Sequence, residues 1–148
     1  MRIVVDTNII IRILIKSDGV VAQLFYSLKD KHELYISYES LEEISKHKLR
    51  LIKESKLNKE DFEELYSNTI SKISIVPLSI IPTAFFVRAL QFTASIDYND
   101  IPFVATTLFL EGFLWTSDKL LFEGLKKTGM SVVLSNNDIK DLLNQKSI

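Results

Sequence analysis

From end to end the chain alternates short β-branched runs with longer amphipathic stretches, and that alternation leaves few folds open. Ile3-Val4-Val5 is the first such run; Asp6-Thr7-Asn8 behind it favours a turn or a cap, and Ile9, Ile10, Ile11 and Leu14 lead into a helix. Asp18-Gly19 breaks that helix, and Val21, Leu24, Phe25 and Leu28 recur at helical spacing in the next. Tyr35-Ile36-Ser37 predicts a second strand, and further strands are expected over 73–78, 113–116 and 131–134. The intervening helices are expected over 39–53, 58–71, 83–93, 100–111, 119–127 and 137–143, with Asn58 as a cap and Gly112 as a left-handed stop. Strands separated by one or two helices need right-handed crossovers. The expected fold is therefore α/β, a three-layer α/β/α sandwich around a parallel sheet of about five strands.

At 148 residues, 47% of them hydrophobic, residues 1–148 suit one domain able to bury its own core. The absence of cysteine removes disulfides, thiolate metal sites and a cysteine nucleophile. No apolar stretch reaches the roughly 20 residues of a membrane span, because Asp18, Asp97, Asp100 and Glu111 interrupt the candidates. A soluble, cytoplasmic protein is expected. Lys plus Arg number 18 against 19 for Asp plus Glu, so contact with nucleic acid would have to come from a local basic surface.

In open parallel sheets, ligands bind beyond the carboxyl ends of the strands. Asp6 follows the first strand, Asp118 follows the fourth after Thr116-Ser117, and Asp100 opens the helix leading into the fourth. Each has an ordinary structural reading, as a helix cap or an Asx turn. Together on one edge they would repel one another, a costly arrangement without a cation such as Mg²⁺ or Mn²⁺ among them.

Asp6-Thr7-Asn8 after an apolar strand, Ser37 followed six residues later by Glu43, Asp97-Tyr98-Asn99-Asp100-Ile101-Pro102 opening a helix, and Trp115-Thr116-Ser117-Asp118 stand in this order. In order and spacing they resemble the PIN domain, over residues 3 to about 134. The resemblance implies a Mg²⁺- or Mn²⁺-dependent ribonuclease with one or two ions, and many small relatives are VapC-type toxins of toxin–antitoxin pairs. It implies Asp6, Glu43, Asp100 and Asp118 as catalytic and metal-holding acids, with Asp97 auxiliary. It also implies an RNA substrate, a possible antitoxin partner and a homodimer. A stand-alone RNA-processing nuclease and a catalytically silent binding module on the same fold are the alternatives. Helical periodicity does not choose among Glu43, Glu42 and Glu39, because Leu41, Ile44 and Ile52 define the buried stripe and Glu42 lies nearer its border than Glu43. Thr7, Asn8, Thr116 and Ser117 are suited to orienting carboxylates or to ordinary turn chemistry. No side chain stands out as a general base, so water activated by the cation is the expected nucleophile.

His32 and His47 lack partners at metal or triad spacing and read as solvated surface groups. No Gly-x-Ser-x-Gly elbow and no phosphate-cradling glycine loop is present. Lys46, His47, Lys48, Arg50, Lys53, Lys56 and Lys59 form the densest basic run, a solvated face or an RNA-backbone contact. Phe85, Phe86, Phe92, Phe103, Phe109 and Phe113 sit at helical spacing and read as core or dimer-interface groups.

Overall fold

Ile3, Val4 and Val5 are at most 1% exposed, and a strand apolar on both faces belongs in the middle of a parallel sheet covered on both sides. The computed structural model describes residues 1–93 and 96–145. It places this run in β1 (Arg2–Val5), the central strand of a sheet with β2 (Glu33–Ser37), β3 (Ser74–Val76), β4 (Phe113–Trp115) and β5 (Val133–Leu134). The order is β3-β2-β1-β4-β5 and every pairing is parallel.

Alternation along the strands sends side chains into two separate cores. Ile3, Val5, Ile36 and Trp115 face α1 (Thr7–Ile15), α2 (Val20–Leu28), α3 (Tyr38–Lys46), α4 (Lys48–Ser55), α5 (Lys59–Ile70) and α9 (Asn136–Asn144). Val4, Leu114 and Val133 face α6 (Thr83–Thr93), α7 (Ile101–Phe109) and α8 (Lys119–Lys127). The three-layer α/β/α sandwich expected from the sequence is the fold observed. Among the described residues no helix is long and apolar enough to cross a membrane.

Several boundaries differ from expectation for identifiable reasons. The helix expected over 39–53 is two helices: His47 N–H closes a tighter turn onto the Ile44 carbonyl at 3.1 Å, and α4 restarts to pack against α1 and α5. The third strand stops at Val76 rather than running to Leu78, because Pro77 has no N–H and the Leu78 N–H donates to the Glu39 carboxylate at 3.1 Å. Gly112 is not the left-handed residue after α7; Glu111 is, at φ 51°. Glycine is required at 112 for another reason, since a Cβ there would lie 2.5 Å from the Arg2 carbonyl oxygen of the neighbouring strand. The phenylalanines of α6 and α7 are half-buried against the second core, with Phe85 and Phe109 edge to face at 5.5 Å.

Candidate functional site

The winding of the sheet reverses at β1. The chain proceeds outward from β1 through β2 to β3 and then returns to place β4 on the opposite side of β1. In open parallel sheets such a reversal point, beyond the carboxyl ends of the two strands, is where ligands bind. Thr116, Ser117 and Asp118 line a crevice there, with buried Asp6 held behind them by the Thr116 hydroxyl.

Asp6 continues the β1–β4 ladder, its N–H donating to the Trp115 carbonyl at 3.0 Å. Its Oδ1 accepts the Asn8 N–H at 3.3 Å, capping α1, and its Oδ2 accepts the Thr116 hydroxyl at 2.8 Å. The Thr116 Oγ1 also accepts the Asp118 N–H at 3.0 Å, so its single proton is committed to Asp6. Asp6 is 4% exposed. Burial raises its pKa above the usual carboxylate range, the Thr116 and Asn8 hydrogen bonds work in the other direction, and the charges of Asp118 and Glu43 raise it further.

Asp118 caps α8, its Oδ1 accepting the Leu121 N–H at 3.1 Å. Asp6 and Asp118 therefore also fill the ordinary structural roles open to them from sequence. Asp100 does not. It stands at the N-terminal boundary of α7, which packs on β1, but its side chain makes no capping hydrogen bond. Half-buried, it has its pKa raised to about 7, first by burial and then by the charges of Asp6, Asp97 and Asp118. Asp97 is exposed, accepts the Asn99 N–H at 2.9 Å, and so reaches this edge as a neighbouring charge.

The three acids on α3 separate by what they touch. Glu39 is occupied with the Leu78 N–H at the end of β3, and Glu42 is exposed without a hydrogen bond among the described residues. Glu43 is exposed too, but its charge acts on Asp6. Thr7 Oγ1 is buried beside Asp6 with no hydrogen-bond partner among the described residues, while Asn8 is exposed at the mouth. The Ser117 hydroxyl and the Trp115 indole N–H both donate to Asn136 Oδ1, at 3.1 and 2.9 Å. Asn136 was not singled out in the sequence, although it lies just past the fifth strand, where the strand-end rule directs attention.

Neither histidine lies here. His47 is exposed, as expected, whereas His32 is half-buried rather than solvated, with Nδ1 3.2 Å from the N-terminal amine. Its pKa is lowered by burial, then by that amine and Lys31.

Asp6, Glu43, Asp100 and Asp118 take part in no ion pair among the described residues. Nor do any three acidic or histidine groups there already lie close enough to hold a metal ion as they stand, as befits like charges that repel at short range. They share one electrostatic field nonetheless. An all-oxygen donor set, two carboxyls, Asp6 and Asp100, whose pKa values are raised first by burial and then by neighbouring acids, and the unpaired Thr7 hydroxyl suit a hard divalent cation and water better than a soft metal.

A family model described as "PIN domain" matches residues 4–140 of the chain. No curated protein matches it in sequence. Among solved structures, the crystal structure of VapBC2 from Rickettsia felis bound to a DNA fragment from their promoter is similar, with a TM-score of 0.68 and 18% identity. The likeness covers 91% of this chain and 98% of that one and, at such identity, is a likeness of fold.

Proposed function

This chain belongs to the PIN-domain family, and from that membership we propose that it is a Mg²⁺- or Mn²⁺-dependent ribonuclease, the toxin of a type II toxin–antitoxin pair. The observation carrying the nuclease reading is Asp100, a half-buried carboxyl with no capping bond to explain it, set among the charges of Asp6 and Asp118. Asp6, Asp100, Asp118 and Glu43 would hold one or two cations. A bound divalent ion supplies a Lewis acid for the phosphate and a means of activating water near neutral pH.

The chain's own groups have defined tasks. Thr116 fixes the Asp6 carboxylate by donating to one oxygen while the Asn8 N–H holds the other. Asp118 keeps α8 in place through one oxygen and has the second available to the crevice. Asp100 must give up its proton to act as a ligand, so its raised pKa weakens cation binding on the acid side of about pH 7.

Cleavage of single-stranded RNA with added Mn²⁺ or Mg²⁺ tests the reading. Activity should depend on the metal and fall at least about 100-fold in Asp6→Asn and in Asp100→Asn, the upper end of what lost supporting groups cost at metal sites. Metal-independent cleavage, or full activity in both variants, overturns it. The toxin assignment draws on the fold shared with VapBC2, itself described as a complex on promoter DNA. Expression of the chain alone should arrest growth, and co-expression of a small partner protein from an adjacent reading frame should relieve the arrest. Cleavage without growth arrest would instead assign a stand-alone RNA-processing role.

A further inference from the structure

Three adjoining hollows of about 350, 440 and 330 Å³ surround Asn136 and Arg12 beside the acid edge. The first and third share Ser117 and Asp118, the first and second share Val20 and Asn136, and the second and third share Arg12. They form one branched groove that starts at Asp118 and runs between α1, α2, α8 and α9. Its charge changes along the way. Asp118 is the acid in these three linings, whereas Arg12, Lys16, Lys119 and Lys140 also line them. Lys119 pairs loosely with Glu123 at 3.9 Å, but Arg12, Lys16 and Lys140 are exposed and take part in no ion pair among the described residues.

The dense basic run in the sequence behaves differently. Lys48 bonds to Glu63 at 2.7 Å and lies over the Tyr66 ring, Arg50 pairs with Glu54, and none of the run lines the three hollows. Positive charge available next to the carboxylates therefore comes from residues scattered in sequence.

Asn136 adds a fixed polar contact. The indole N–H of Trp115 can only donate, so the amide oxygen must face it, and the amide NH₂ points the other way. That NH₂ has no acceptor among the hydrogen bonds of the described residues, and Asn136 borders two of the hollows. Val20, 53% exposed, and half-buried Phe122 offer apolar surface in the same groove. Cations along a concave track with apolar contacts between them match a single nucleic-acid strand better than a duplex, which presents a broad, shallow surface.

We propose that this groove is the track by which single-stranded RNA reaches the acid edge, with Arg12, Lys16 and Lys140 contacting backbone phosphates and the Asn136 amide donating to the strand. The inference rests on the nuclease reading, and binding measured without turnover separates the two.

The test uses the full chain carrying Asp100→Asn, in EDTA, with a fluorescent single-stranded RNA followed by anisotropy across a salt series. Arg12→Ala, Lys16→Ala and Lys140→Ala should each weaken binding several-fold and reduce the slope of log K against log salt by about 0.7. Asn136→Asp keeps the acceptor for Trp115 and Ser117 but replaces the donor, so it should weaken binding with an unchanged melting curve. The control Lys53→Ala/Lys56→Ala should bind within about twofold of the parent, since those cations lie outside the track. Groove variants that bind like the parent, a control that loses as much as they do, or equal affinity for duplex RNA or poly-glutamate overturns the proposal. Groove-dependent binding by a wild-type chain that does not cleave with Mn²⁺ overturns the catalytic reading alone.

Discussion

Asp100 holds its proton to about pH 7 because burial and three neighbouring acids oppose its charge. The carboxyl has an ordinary value of 3.8 when unfolded, so between that pH and about 7 the folded chain binds a proton that the unfolded chain has released. Stability from this group is therefore greatest below the unfolded value and declines as pH rises through the folded one. Thermal melting of the metal-free protein at pH 5 and 8 should show a larger loss at pH 8 for wild type than for Asp100→Asn; an equal or smaller loss in wild type sinks this assignment. Cation binding works against the same proton, so Mn²⁺ affinity measured by titration should fall as pH drops below about 7. Thr116 is the other sensitive position. Thr116→Val leaves the buried Asp6 oxygen and the Asp118 N–H unpaired and should cost about 1–3 kcal/mol in urea unfolding, with Thr116→Ser recovering most of it. Asp6, Asp100 and Asp118 were legible in the sequence because each abuts a recognisable element. Periodicity does not separate Glu43 from Glu39 and Glu42; Glu39 is set aside by its bond to the Leu78 N–H across 39 positions, and Glu43 differs from Glu42 in that its charge acts on Asp6.

At the level of elements, the joints carry more information than the helices they connect. The capping box at the start of α9 pairs the Ser135 hydroxyl with the Asp138 N–H and the Asp138 carboxylate with the Ser135 N–H. Ser135→Ala should lower stability by about 0.5–2 kcal/mol and loosen Asn136, the next residue, so that RNA affinity falls along with the melting temperature. Gly112→Ala pushes a Cβ against the Arg2 backbone between β1 and β4 and should destabilise by about 1–3 kcal/mol, since backbone cannot swing aside as a flexible side chain can. Strand and helix identity were readable from β-branching and apolar spacing. The break at His47 and the early end of β3 were not, because one depends on how α4 meets α1 and α5 and the other on a side chain arriving from α3.

For the molecule as a whole, a ligand that binds only the folded state raises its stability by mass action, by about 2.7 kcal/mol at a hundredfold excess over Kd. Mn²⁺ should accordingly raise the melting temperature of wild type at pH 8 and leave Asp6→Asn unmoved; a rise of equal size in both would place the cation elsewhere. The layered architecture could be inferred from alternating elements, but the insertion of β4 beside β1 could not, because nothing in Phe113-Leu114-Trp115 specifies its neighbour. That insertion has a consequence for the order of folding. Asp6 and the Thr116 hydroxyl that orients it stand 110 positions apart in sequence and meet only where β4 pairs with β1. A chain that has not yet paired β4 with β1 holds the Asp6 carboxylate without its orienting donor, so the acid edge becomes ordered only when this long-range pairing forms, however early the first strand folds.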